Sequence, residues 1–361
     1  MLDKVCVVIP SLDPDKKLCE TVNSLKKVGF TRFVVVNDGS APEYLGAFPE
    51  PDEFITLLGY EKNRGKGYAL KTAFSYITEN FRDTNCVVTV DGDGQHHPDD
   101  VLSSVKACAD SNFSRVVLGC RDFSLPQVPK KSRFGNRLTS FVFKNLCGIN
   151  ISDTQTGLRV FPMGVLPALL NIKGERFEYE TNMLIKFKQL NIPFSEQKIE
   201  TLYFEENSGT HFRVIADSIR VYGFIINYII SSLASFLVDV VLFFLINLLG
   251  REFFGASTVL VATALARLFS SVTNFTINRK KVFDAHTPIV KTFLKYYSVA
   301  VPQMFLSAIL VYLLGFLINS TTALDTVFKV FVDTVLFFIS YRVQQSWVFA
   351  DKKKKIKRVK N

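Results

Sequence analysis

Two regimes of hydrophobic patterning divide the chain. Up to about Arg220 the apolar residues come in short runs, separated by polar stretches with helical spacing. The stretch KVCVVIP at 4–10 reads as a buried strand that ends at a loop, and Lys16 to Lys27 has the spacing of an amphipathic helix. Strands are predicted again at Phe33–Asn37, Phe54–Leu58, Cys86–Val90 and Arg115–Gly119, with helices at Gly67–Ile77 and Asp99–Ala109. Alternation of this kind predicts an α/β fold with a mostly parallel sheet covered on both faces. Polar residues gather where the strands end: Ser11 and Asp13, then Asp38, then Asp91 and Asp93, then Arg121. Open α/β sheets bind ligands at that edge.

From Val221 to Phe349 the runs lengthen towards the twenty or so residues that span a bilayer. They cover Val221–Leu249, with Asp239 inside; Ala256–Ile277, with Arg267 inside; Tyr297–Ile318; and Ala323–Tyr341, which Asp325, Lys329 and Asp333 interrupt. The pattern predicts an all-α domain of four transmembrane helices. An internal repeat supports the fourth: NFTINRKKVF at 274–283 aligns with SYRVQQSWVF at 340–349, so the chain holds two helix pairs closing on one signature. The expected organisation is a soluble α/β domain over 1–215, a membrane domain over 216–350 and a basic tail over 351–361.

Charge fixes the expected topology. The net charge is +10. Arg279, Lys280, Lys281, Lys291 and Lys295 lie between the second and third apolar runs, and the tail after the fourth run is basic, while the other loops carry only Arg251. By the positive-inside rule both termini and the catalytic domain face the cytoplasm of a multi-pass inner-membrane protein. A basic excess beside apolar runs suits an anionic membrane surface better than nucleic acid. The six cysteines include no CxxC pair and read as reduced cytosolic thiols. The first apolar run, Val5–Ile9, is too short for a secretory signal.

The candidate chemistry centres on CVVTVDGDGQHHPDD at 86–100, where a buried strand delivers Asp91 and Asp93 on a glycine-spaced turn. Paired carboxylates there suit a hard divalent cation that bridges substrate phosphates. Three other phosphate or metal motifs fail. No GxGxxG follows the first strand; Gly65-Lys66-Gly67 lacks the Ser or Thr and the glycine spacing of a Walker loop; and Gln95 and His96 break an EF-hand loop.

The ordered set VVIPS at 7–11, VVVNDGS at 34–40, NRGKGYALKTAF at 63–74 and VDGDGQHHP at 90–98 resembles the family 2 glycosyltransferases of GT-A fold. GCRDF at 119–123, KKSRFGNRL at 130–138, SDTQTGLRVF at 152–161 and RFEYETNML at 176–184 narrow the resemblance to polyprenyl-phosphate sugar synthases of the dolichol-phosphate mannose and bactoprenol glucosyl types. The membrane half resembles the GtrA-like domain. The resemblance implies a nucleotide-sugar site at Pro10, Ser11, Asp13, Asp38, Lys66, Gly67, Asp91 and Gly92, and a Mg2+ or Mn2+ ion on Asp93 and Gln95. It implies an acceptor-phosphate site at Arg121, Ser132 and Arg133, with Ser208, His211 or Arg213 as further contacts near the membrane. Asp153, alongside Asp91, stands as a catalytic residue, and Glu178 or Glu180 stands near the sugar.

Simpler readings exist for single residues. An Asx turn explains Asp38, and a solvated helix start explains Lys66. A phosphomonoester with a second pKa near about 6 is already largely dianionic, so Asp153 has the alternative of orienting an arginine or the sugar rather than acting as base. Glu178 and Glu180 suit the first turn of a helix in any case. Asp239 and Arg267 are expected either to pair or to line a polar path, and Lys329 and Asp333 to pair along one helix face.

The expected function is metal-dependent, inverting transfer of a sugar from a UDP- or GDP-sugar to polyprenyl phosphate, by a homo-oligomer with no nucleic-acid partner. The alternatives are a transporter of lipid-linked sugar with a regulatory soluble domain, and a processive polysaccharide synthase, whose QxxRW-type signature is missing from the soluble half.

Overall fold

The computed structural model describes residues 1–126, 128, 130–200, 222–254, 258–283, 285, 287–318 and 322–350. Ser208, His211, Arg213 and the basic tail lie outside the described residues. The described residues form two compact units, one within 1–200 and the other within 222–350.

The strands of the first unit are β1 (Val5–Ser11), β2 (Phe33–Asn37), β3 (Ile55–Gly59), β4 (Cys86–Thr89), β5 (Val116–Arg121), β6 (Arg159–Pro162) and β7 (Phe194–Ile199). They form one sheet in the order β3-β2-β1-β4-β6-β5-β7. β1 pairs parallel with β2 and β4, β2 with β3, and β5 with β7. β6 alone runs antiparallel, between β4 and β5. The fold is therefore a GT-A-like α/β domain with a mostly parallel sheet.

Continuous apolar runs mark strands covered on both sides, and Val5, Cys6, Val7, Val8 and Ile9 are all fully buried. Helices α1 (Lys17–Lys27) and α3 (Pro98–Asp110) bury Leu18, Val22 and Leu25, and Val101, Val105 and Cys108, in the same core as β1 and β4. Helix α2 (Lys66–Asn80) buries Ala69, Leu70, Ala73, Phe74 and Ile77. Helices α4 (Lys130–Val142), α5 (Leu166–Leu170) and α6 (Glu178–Leu190) follow.

The predicted strands and helices of the first half form, with ends displaced by a few residues. β6 and β7 have no counterpart in the pattern. β6 is short and ends at Pro162, and β7, FSEQKI, is a largely polar edge strand with a single fully covered residue.

The second unit contains α7 (Gly223–Phe254), α8 (Thr258–Ile277), α9 (Ile289–Ile318) and α10 (Thr322–Val343). α7 packs on α8, and α9 on α10. Ile225–Gly250 and Ile289–Ile318 are long and apolar enough to cross a membrane. α9 starts well before the predicted Tyr297, because IVKTFLK keeps helical spacing although Lys291 and Lys295 lower its hydropathy. Each copy of the repeat ends in a π-helical turn, Asn278–Val282 and Gln344–Val348. The equivalent rings of the two copies meet: Phe283 stacks on Phe349 with centroids 4.9 Å apart.

Candidate active site

The reversed direction of β6 assembles the site. Residues after a parallel strand and residues before an antiparallel neighbour emerge at the same sheet edge. Thr89 of β4 lies opposite Arg159 of β6, so the turn from Val90 to Gln95 meets the loop from Ser152 to Leu158. Thr89 Oγ1 donates to the Gly157 carbonyl at 2.7 Å. A Cβ on Gly157 would collide with the Asp91 carboxylate, so glycine is required for Asp91 to lie where it does.

Lys66 reaches the same point from α2. Gly65 precedes it with φ +105°, and a Cβ on Gly65 or Gly67 would strike the segment from Glu175 to Tyr179. These glycines seat the start of α2 against the start of α6, and the Tyr68 amide donates to the Glu175 carbonyl at 2.9 Å. The Lys66 Nζ then stands 2.7 Å from Asp91 Oδ1 and 3.1 Å from Glu180 Oε1. Burial alone would push the Lys66 ammonium down, but Asp91 and Glu180 together hold it above its ordinary value. Burial likewise opposes ionisation of Asp91, and Lys66 and His96 outweigh it, holding that carboxyl well below the usual range. His96 Nε2 lies 3.8 Å from Asp91 Oδ2.

Asp93 is different. Its Oδ1 accepts from the Gln95 amide at 3.0 Å, and burial and then neighbouring Asp91 push its carboxyl up. No cation pairs with it among the described residues. That deficit of positive charge fits a divalent ion held on the turn. The described residues contain no group of three or more acidic, histidine or cysteine donors able to hold a metal. A cation whose remaining ligands are substrate phosphates and water needs only one or two carboxylates, so Asp93 with the Gln95 side chain remains a fitting donor set. Gly92 packs closely on Leu18, Ile9 and the Ser11 hydroxyl.

At the ends of β1 and β2 the expected nucleotide residues organise their own loops. Asp38 is 4% exposed. Its Oδ1 accepts from Tyr60 Oη at 2.6 Å and from the Arg64 and Gly65 amides at 3.0 Å, and Oδ2 also accepts from Gly65. Asp38 thereby fixes the loop that leads into Lys66. Asp13, with φ +47°, accepts from the Ala41 amide through Oδ1 while its own amide donates to Ser40 Oγ. Pro10 and Ser11 close β1, and the Asp38 amide donates to the Ser11 carbonyl at 2.9 Å.

Arg121, at the end of β5, donates from Nε to Asp153 Oδ2 at 2.6 Å and from Nη2 to Asp153 Oδ1 at 3.1 Å. Asp153 is fully buried and also accepts from the Gln155 amide. This geometry matches the arginine-orienting alternative for Asp153. Beside the pair lies a cavity of about 430 Å³ lined by Arg121, Phe123, Ser152, Glu196 and Lys198 among others. Glu178 and Glu180 part company: Glu178 Oε1 accepts from the Glu175 and Arg176 amides at the head of α6, whereas Glu180 turns to Lys66.

Ser132 and Arg133 lie on α4. Ser132 is exposed, and Arg133 Nη2 donates to the Leu125 carbonyl at 2.8 Å. α4 also exposes Phe134, Leu138 and Phe141, at 70%, 46% and 65%. The spacing of these three residues places them on one helix face, and Lys130, Arg137 and the following Lys144 are exposed as well.

In the second unit, Arg267 Nε is 3.7 Å from Asp239 Oδ2, and Ser270 Oγ donates to Asp239 Oδ1 at 3.0 Å. Asp333 accepts from Ser307 of α9. The side chain of Lys329 lies outside the described residues.

Comparison with known proteins matches residues 6–170 to the glycosyl transferase family 2 model and residues 227–349 to the GtrA/DPMS transmembrane domain. An uncharacterized protein from Methanocaldococcus jannaschii is 30% identical over 217 residues, 59% of this chain and 87% of its own length. A UDP-N-acetylglucosamine–dolichyl-phosphate N-acetylglucosaminyltransferase from Methanococcus voltae is 27% identical over 225 residues, 57% of this chain and 88% of its own. Among solved structures, the mannosyltransferase PcManGT from Pyrobaculum calidifontis in complex with GDP-Man and Mn2+ aligns over 95% of this chain and 87% of its own. Its identity is 15% and its TM-score 0.41, too loose a match to inform the chemistry.

The chain belongs to glycosyltransferase family 2 and carries a GtrA/DPMS transmembrane domain. It is a glycosyltransferase.

Several site contacts escaped the sequence reading. The pairing of Lys66 with Glu180 and the contact of Gly157 with Asp91 join residues far apart in the chain. Tyr60 on Asp38, and Glu196 and Lys198 beside Arg121, carry no local signal. Gly157 lies inside SDTQTGLRVF at 152–161, where the resemblance gave it no role of its own.

Proposed function

We propose that this protein transfers a sugar from a UDP- or GDP-sugar to polyprenyl phosphate. The lipid phosphate oxygen bonds to the anomeric carbon as the bond from that carbon to the nucleoside diphosphate breaks, inverting the configuration. The observation that carries the choice of a lipid acceptor is α4. The helix bearing Ser132 and Arg133 presents Phe134, Leu138 and Phe141 outward with basic side chains around them, the signature of a helix lying in a membrane interface. Ser132 and Arg133 would then meet a phosphate at headgroup depth. The Methanococcus voltae relative, named for dolichyl phosphate, supports the same class of acceptor.

In this reading Asp91 faces the nucleotide, Lys66 lies near its ribose or diphosphate, and Asp38 and Asp13 hold the loops that receive the nucleoside. Asp93 and Gln95 would hold Mg2+ or Mn2+, which when bound supplies charge neutralisation for the departing diphosphate. Arg121, kept in register by Asp153, lines the cavity beside it, and a guanidinium there suits a phosphate. The acceptor dianion needs positioning rather than deprotonation. All four helices of the second unit would span the membrane, with the glycosyltransferase unit on the cytoplasmic side, a topology supported by the basic residues at 279–281, 291 and 295.

The test is the purified full chain with polyprenyl phosphate, Mg2+ or Mn2+, and a panel of radiolabelled nucleotide sugars. One donor is expected to pass label into an organic extract, and Asp93→Ala is expected to abolish that transfer. Label transferred to lipid at an undiminished rate by Asp93→Ala would refute the metal site.

A further inference from the structure

Lys66 stands where the nucleotide diphosphate is expected, yet carboxylates of the chain itself already occupy its ammonium. Asp91 Oδ1 is 2.7 Å away and Glu180 Oε1 3.1 Å away, and the Lys66 and Glu180 side chains are only 17% and 8% exposed. Glu180 is itself held. Arg159, 1% exposed, donates from Nη1 to the Glu180 carbonyl at 2.8 Å and from Nε to the Thr156 carbonyl at 2.9 Å. The same guanidinium thus ties the loop that carries Gly157 under Asp91 to the helix that carries Glu180. Arg159 braces both sides of the pocket that holds the Lys66 ammonium. Two carboxylates, Asp91 and Glu180, share the lysine ammonium, His96 lies 3.8 Å from the other oxygen of Asp91, and Asp93 has no cation paired with it among the described residues.

A half-buried ammonium raises the local potential and repels a second cation at short range. It also has better partners than two single carboxylates once a diphosphate enters, because a diphosphate concentrates several charged oxygens in one place. We propose that Lys66 is a built-in counter-cation, braced by Glu180 against Asp91. It keeps a divalent metal from settling on the acidic turn alone and moves to the diphosphate when the nucleotide sugar arrives. Metal and nucleotide then bind as a unit, and free metal is not trapped on an empty site. This rests on the nucleotide-sugar reading above.

The test uses the full chain in detergent and measures two affinities separately: Mn2+ alone, by electron paramagnetic resonance of the free ion, and UDP or GDP in EDTA, by equilibrium dialysis. Lys66→Met is expected to bind Mn2+ alone about tenfold or more tightly than the native chain, and the metal-free nucleotide about tenfold more weakly. The opposite signs separate this role from a structural one, which would weaken both. Glu180→Gln, which removes the brace, is expected to bind metal-free nucleotide more tightly. If Lys66→Met does not fold, Lys66→Gln carries the same expectation. Mn2+ affinity that is unchanged or reduced in the Lys66 variant, with native nucleotide binding intact, overturns the counter-cation and leaves the enzyme reading standing. A native chain that binds neither UDP nor GDP, with or without Mn2+, overturns both.

Discussion

Asn278 and Gln344 occupy the same position in the two copies of the membrane-unit repeat, and they hydrogen-bond to each other. Asn278 Nδ2 donates to Gln344 Oε1 at 3.1 Å, and each also bonds the residue four before it, Asn274 and Ser340. Together with the stacked Phe283 and Phe349, this makes the junction of the two helix pairs close to self-complementary. Polar contacts between membrane helices contribute about 0.6 kcal/mol on average and about 1.7 at most. Asn278→Leu is therefore expected to destabilise the unit by about 1 kcal/mol. Asn278→Leu with Gln344→Leu is expected to recover part of that loss, because no buried amide is left unpaired. Thermal unfolding of the three variants in detergent checks this; strictly additive losses would contradict the pairing.

Gly157 supplies the space that Asp91 occupies. Gly157→Ala is expected to displace the carboxylate by about the size of a methyl group and to lower kcat/KM by about 100-fold, with a far smaller effect on the melting temperature. Steady-state kinetics beside a melting curve decide it, and an Ala variant of native activity would show that Asp91 need not sit against that loop.

Asp153 is fully buried and grips Arg121, so its expected role is to position. Asp153→Asn is expected to cost about 100-fold or less and to leave the acid limb of the pH profile in place. With polyprenyl phosphate as the proposed acceptor, that limb is expected to follow loss of the phosphate's second proton near pH ~6, so the rate is expected to rise with pH through that point. Loss of the acid limb together with a fall of about 10,000-fold would instead make Asp153 the general base.

The exposed face of α4 predicts a location. With Trp347 replaced by Phe and Phe134 by Trp, the full chain in vesicles is expected to show tryptophan fluorescence quenched by lipids brominated on the acyl chain. Emission insensitive to those lipids would place α4 in water.

Much of the fold was legible because strands buried on both faces have no choice but to be apolar: β1, β2 and β4 declare themselves as uninterrupted runs. β6 did not, since RVFP is too short to show a period, and its antiparallel direction is decided by its neighbours β4 and β5. That reversal is also why the contact of Gly157 with Asp91 leaves no signal in the sequence. Asp91, Asp93 and Lys66 were recognisable as charged residues at strand and helix ends. Their partners were not, because the bridge from Lys66 to Glu180 depends on how closely two glycines let α2 approach α6. Asp38 was legible as a polar residue at a strand end, and its hold on Tyr60 and Gly65 was not. In the second unit the aligned motifs at 274–283 and 340–349 announced a repeat, and only the packed helices revealed that the repeated residues meet.

The most direct measurement of the central claim is the anomeric configuration of the product. The full chain, supplied with the donor selected from the nucleotide-sugar panel, polyprenyl phosphate and Mg2+, is expected to yield an organic-soluble polyprenyl-phosphate monosaccharide. Its anomeric proton and phosphorus couplings in NMR are expected to report the configuration opposite to that of the donor. Retention of the donor configuration, long water-soluble polymer, or label released only as free sugar would contradict the account.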